Sequence, residues 1–190
     1  SDFVTCPRAY FLKHIYKDPA TNHKIKLMSP PLALGQAVHE VLDQLSKLQT
    51  SERFTTSLID RFSDVWQKVS GEQGGFFGSD QEDEFRRRGI SMLENVTRDP
   101  GPLSRLAVKI KMDLPYYWLS DEDNIILCGK VDWLEYMPDS LGVHIWDFKT
   151  GKHDEDPDSL QLPIYQLLVA NCQSYPAEKA WYWYLDRADG

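Results

Sequence analysis

Cysteine is scarce in this chain. Cys6, Cys128 and Cys172 are three, an odd number, and lie far apart. They build no disulfide framework, which points to a reduced, cytoplasmic protein. Long apolar runs are missing too. None approaches the roughly 20 residues needed to cross a bilayer and nothing resembles a signal peptide, so no membrane partner is expected. Positive charge is not in excess: a net charge of −8 argues against a generic nucleic-acid coat protein. No internal repeat stands out, and the glycine-rich loop "SGEQGGFFGSD" (70–80) lacks the spacing of a phosphate loop.

What is present is ordinary in amount and uneven in placement. With 190 residues, 42% hydrophobic and 26% charged, the chain suits one domain over 1–190 with a sizeable core. It opens at Ser1 without a methionine, as a piece of a longer chain would. Residues 1–28 carry Arg8, Lys13, Lys17, Lys24 and Lys26 against Asp2 and Asp18, so a local basic surface coexists with the acidic total. Much of the acid lies in "SDQEDE" (79–84) and "DEDPD" (154–158), which read as solvated loops.

Periodicity predicts a short helix over 5–16, entered through Cys6-Pro7. Helical spacing of Leu34, Val38, Val41, Leu42, Leu45 and Leu48 follows Pro30-Pro31. A second helix is read from Phe54, Leu58, Phe62, Val65 and Val69. A third runs from about Gln81 to Thr97, with Phe85, Met92, Leu93 and Val96 inward. Strands are expected over 104–119, 124–137 and 142–149, then a helix over 158–173 and a strand over 179–187. Helices, a three-stranded meander, then helix and strand describe an α/β sandwich with a mixed sheet.

The most informative stretch is "VHIWDFKTGK" (143–152). Val143, Ile145, Asp147 and Lys149 share one parity, so on a strand they share a face, and burying the charged pair there is costly unless something binds it. A turn centred between Asp139 and Ser140 sets Asp132 opposite Asp147 and Lys130 opposite Lys149. Directly opposed carboxylates repel unless a cation lies between them, and oxygen ligands suit a hard divalent ion. Gly129 allows close backbone approach beside that site. A generic D-x-K is more simply a pair of solvated charges, a lone His39 beside an apolar helix stripe is more simply a packed residue, and Gln161 and Tyr165 at i, i+4 are more simply a helix surface.

Taken together and in order, "GQAVHE", "CGKVD", "WDFKTGK" and "QLPIY" resemble the RecB-like branch of the PD-(D/E)XK nuclease superfamily. The pattern also occurs in AddAB-type repair enzymes and CRISPR-associated adaptation nucleases, and the resemblance spans residues 1–187. It implies a restriction-endonuclease-like core, a mixed central sheet flanked by helices, and Mg²⁺- or Mn²⁺-dependent DNA hydrolysis, as an exonuclease in repair or recombination. By resemblance, His39, Asp132 and Asp147 are metal ligands, joined by the backbone carbonyl of Phe148. Lys149 is the catalytic lysine, and Gln161 and Tyr165 help position DNA. The expected partners are single-stranded DNA, or DNA with a free end, and a helicase or repair complex. Arg8, Lys13 and Lys17 are the expected nucleic-acid contacts.

"SDFVTCPRAYFLKH" departs from relatives whose Cys6 equivalent joins three C-terminal cysteines around an iron–sulfur cluster, since no such triplet follows Asp186. A cluster is therefore not expected, and a buried structural Cys6 is. A binding module without catalysis and an unrelated α/β protein remain the competing readings.

Overall fold

A computed structural model describes residues 2–24 and 28–187; Lys26 of the basic stretch lies outside them. Local chemistry divides the N-terminal segment into pieces. Asp2–Thr5 (α1) stops at Cys6, Pro7 opens Pro7–Tyr10 (α2), and Phe11–Ile15 continues as a wide π-turn. The helix expected over 5–16 and entered through Cys6-Pro7 thus runs from Pro7 to Ile15, and Pro7, lacking the amide that would join it to α1, sets its start. The segment packs largely on its own rings: Phe3 meets Tyr10 edge-on at 5.4 Å, and Tyr10 lies 4.8 Å from His14. Cys6 is exposed there, not buried as expected, since so short a segment has no core to bury it in.

Pro30 starts Pro30–Leu45 (α3), whose stripe Leu34, Val38, Val41, Leu42 and Leu45 is fully buried. Leu58–Trp66 (α4) is capped by Ser57, whose hydroxyl accepts from the amides of Ile59 and Asp60. Ser79–Arg98 (α5) starts two residues earlier than read, because the acidic run 79–84 is its first turns rather than a loop. Glu82 there accepts hydrogen bonds from Trp66 Nε1 and Ser70 Oγ and from the Gly71 amide, at 3.0, 2.6 and 3.0 Å. These three helices form one layer. Gly89 lets α5 approach closely: a Cβ on it would lie 2.3 Å from Phe62 Cζ. Gly89→Ala is expected to cost about 1–3 kcal/mol by overpacking, measured as a lower urea midpoint with unchanged slope.

The strands differ from the expected meander. Ala107–Val108 (β1), Trp133–Met137 (β4), Gly142–Lys149 (β5) and Ala177–Tyr184 (β6) make a mixed sheet ordered β1-β4-β5-β6, with β5 and β6 parallel. Tyr116–Ser120 (β2) and Ile125–Cys128 (β3) form a separate ribbon against Gln161–Cys172 (α6). The 104–119 and 124–137 runs each split because residues 109–115 and 129–132 leave the ladder. Cys128, expected to pack in a strand, is exposed because a two-stranded ribbon leaves one face open.

Parity on β5 sorts the layers. Phe148 packs into the α3–α5 core, with Trp146 against it, whereas Val143 and Ile145 pack against Val169 and Tyr165 of α6. The sheet is therefore flanked by helices on both faces, and Asp147 and Lys149 fall on the α6 side. No helix of the described residues is long and apolar enough to cross a membrane.

Candidate active site

The β4–β5 ladder brings the first carboxylate into place. Trp133 pairs with Trp146 and Leu134 with Ile145, the register that the centred turn predicts. Asp132 lies one step beyond the ladder. Its Oδ2 accepts the Phe148 amide at 2.9 Å, and its Oδ1 lies 3.1 Å from His39 Nδ1. Lys130 does not face Lys149. The chain has already diverged from β5, and Lys130 Nζ lies 3.3 Å from Asp43 on α3. Gly129 lies against α6, where a Cβ would be 3.3 Å from Leu168.

Asp147 and Lys149 emerge at the end of β5, beneath the start of α6. Lys149 Nζ is 2.9 Å from Asp147 Oδ2 and 3.0 Å from Glu155 Oε1, donates to Gln161 Oε1 at 2.7 Å, and lies 4.9 Å from the Tyr182 ring centre. Gln161 Nε2 donates to Asp147 Oδ1 at 3.0 Å and to the Tyr165 hydroxyl at 3.1 Å. One turn of α6 thus links the lysine, the carboxylate and the tyrosine, as the i, i+4 spacing allows. The lysine is no rim residue: its side chain is only 15% exposed.

Electrostatics match this crowding. Burial, then the charge of Asp132, push the Asp147 carboxyl up to about 6, against the opposing pull of Lys149 and His39. Burial lowers the His39 pKa, but the hydrogen bond and charge of Asp132, with Asp147 and the Phe148 backbone, outweigh it and leave it raised. Burial likewise opposes the Lys149 charge, yet Asp147 and Glu155 hold its pKa above the usual value. Burial pushes Tyr165 up to about 12.

Among the described residues, no three His, Cys, Asp or Glu side chains form a ready-made metal-holding group. His39 and Asp132 are engaged with each other, while Asp147 turns toward Lys149 and Gln161. The residues nevertheless fit a hard cation. Asp147 Oδ2 is buried, with Lys149 Nζ 2.9 Å away as its ion-pair partner and no other polar group bonded to it. A buried carboxylate oxygen with an open lone pair, a second carboxylate that repels it and a nearby imidazole make a donor set suited to Mg²⁺ or Mn²⁺.

Glu155 was not legible as a site residue. The acidic run 154–158 has no periodicity to separate it from solvated neighbours, yet its amide donates to the Tyr184 hydroxyl at 2.8 Å and its carboxylate reaches Lys149. Arg8, Lys13 and Lys17 are exposed on the N-terminal segment; Lys17 forms an isolated bridge with Lys24.

A family model described as the PD-(D/E)XK nuclease superfamily matches residues 1–189. No curated protein and no solved structure matches the chain.

Proposed function

The chain belongs to the PD-(D/E)XK nuclease superfamily, and on that premise we propose that it is a divalent-metal-dependent deoxyribonuclease of the RecB-like branch, cutting from DNA ends in repair or recombination. The observation that carries this reading is the pairing of Lys149 with the buried Asp147 Oδ2 at 2.9 Å, an oxygen with no other bonded partner.

Asp132, Asp147, the Phe148 carbonyl and His39 would hold Mg²⁺ or Mn²⁺. Bound there, such an ion supplies Lewis-acid polarisation of the phosphoryl oxygen and a more acidic water. Asp132 is held for this task by the Phe148 amide, which fixes its second oxygen. Lys149, surrounded by two carboxylates and an amide oxygen, keeps its protons. It serves as a donor and counter-charge to the phosphate rather than as a base. Gln161 fixes the Asp147 rotamer and aims the Tyr165 hydroxyl, and Tyr165 contacts the strand. The retention of Lys149 beside Asp147 and Asp132 favours an enzyme over a binding-only module, which needs no catalytic cation. A helicase or repair complex is the partner this role implies.

Linear duplex, closed circular and single-stranded DNA incubated with Mg²⁺, Mn²⁺ or EDTA test the reading. Metal-dependent loss of linear and single-stranded DNA, with circles spared, is the expected result. Cleavage that persists in EDTA, or none by folded protein in either metal, would refute it.

A further inference from the structure

A groove of about 520 Å³ opens beside Asp132, between the end of α3, residues 107–115 and the 130–134 turn. A second hollow of about 330 Å³ is lined by His39, Phe148 and Asp132. The two share Asp43, Lys130 and Asp132, so one path leads from the surface to the expected metal ligands.

Lysines enter this path from three separate segments. Lys47 comes from the turn after α3, Lys109 and Lys111 from the segment after β1, and Lys130 from the turn before β4. Four lysines therefore meet the carboxylates of Glu40, Asp43, Asp113 and Asp132, of which Glu40 is paired with Lys68, in a chain whose net charge is −8. The carboxylates are partly spoken for. Asp43 lies 3.3 Å from Lys130 and 3.8 Å from Lys47, and Asp132 is engaged by His39 and the Phe148 amide. Lys109 Nζ donates to Ser46 Oγ at 3.2 Å. Among the described residues, neither Lys109 nor Lys111 has a carboxylate within ion-pair distance, and both are exposed.

Cations spaced along a groove and ending at a phosphodiester-cleaving site match a chain of phosphates. Half-buried Val108 and Ile110 add apolar wall between the lysines, suited to sugar or base contact. The volume lies within that of a small-molecule cleft, about 300–1,000 Å³, enough for a nucleotide unit of one strand. We propose that a single DNA strand reaches the site along this groove, with its phosphates on Lys109, Lys111 and Lys130. This rests on the nuclease reading and differs from it in naming the path. The N-terminal cations Arg8 and Lys13 then lie off the main track.

The test is equilibrium binding of a fluorescein-labelled 12-nucleotide oligothymidylate, with Ca²⁺ in place of the catalytic ion, across a salt series. Lys109→Ala/Lys111→Ala is compared with wild type and with Arg8→Ala/Lys13→Ala. Each lost phosphate contact lowers the log–log salt slope by about 0.7 on single strands, so the groove variant should lose about 1.4 from its slope. Its affinity at 50 mM salt should fall roughly tenfold to a hundredfold. The Arg8/Lys13 variant should keep the wild-type slope, and Lys111→Glu, checked for folding by its melting curve, should bind more weakly than the groove double variant's parent. Wild-type binding with an unchanged slope in the groove variant overturns the path and leaves the nuclease reading standing. Duplex bound as tightly as single strand, with the same lysine dependence, overturns the single-strand claim. No binding of either form by wild type overturns path and nuclease reading together.

Discussion

Replacing Lys149 by alanine is expected to reduce phosphodiester cleavage by at least about 10²–10³-fold, the loss that follows removal of one preorganised donor at a developing oxyanion. The geometry predicts a second effect. Lys149 is the cation that opposes the burial of Asp147, and Asp132 already pushes Asp147 upward. Without the lysine, a carboxylate only 3% exposed keeps no nearby ammonium. Truncating one partner of a buried ion pair costs about 3–5 kcal/mol, and Glu155 and Gln161 also lose their shared donor. A lysine on a site rim would leave the fold nearly untouched; this one should not. Cleavage rate and urea midpoint, measured on the same preparation, check both effects. A folded Lys149→Ala protein cutting at near wild-type rate would remove the lysine from the chemistry.

The second large effect is a reversal of pH dependence by metal. The Asp147 carboxyl is raised from 3.8 to about 6, so between those values the folded protein holds a proton that the unfolded chain has lost. The Asp147 contribution to metal-free stability is therefore lost as pH rises through that window and levels off above it, against the opposite contribution of Glu82, whose pKa is lowered. His39 acts in the same direction at higher pH. Its pKa is raised above 6.5, so its contribution is complete below that value and is lost as pH rises through the folded-state value. A cation that takes the place of these protons binds best where they are gone. At about 100 times its dissociation constant, Mn²⁺ contributes about 2.7 kcal/mol, or roughly 5–10 °C in a chain of this size. Calorimetric melts should show that increase near pH 8 and almost none near pH 5. Asp147→Asn should lose the pH 4–6 slope. An equal Mn²⁺ shift at both pH values would take Asp147 and His39 out of the metal site.

The sequence made some of these positions legible because simple geometry governs them. Alternation fixed the face shared by Val143, Ile145, Asp147 and Lys149, and a symmetric turn fixed the pairing of Trp133 with Trp146. Helical spacing put Gln161 next to Tyr165. Extrapolation failed where backbone left the ladder. Asp132 trades its place in the ladder for the Phe148 amide, and that divergence sends Lys130 to Asp43 instead of toward Lys149. Glu155 was hidden for a different reason, since acidic residues in a run look alike until tertiary packing selects one. The groove lysines share that difficulty. Lys109 and Lys111 lie in a stretch that reads as strand, and only its departure from the sheet makes them line the same groove as Asp132.

The proposed chemistry requires one cation joining residues from α3, the turn before β4, and β5. Anomalous diffraction from a crystal soaked in Mn²⁺ tests this directly. The expected result is one strong peak within about 2.1 Å of carboxylate oxygens from both Asp132 and Asp147, with the Phe148 carbonyl and His39 completing the protein ligands. In that state the Asp147 side chain is expected to have turned its Oδ2 from Lys149 to the metal, and the His39–Asp132 contact to have opened. A peak elsewhere, or fully occupied Mn²⁺ that leaves Asp147 bonded only to Lys149 and Gln161, would contradict the account.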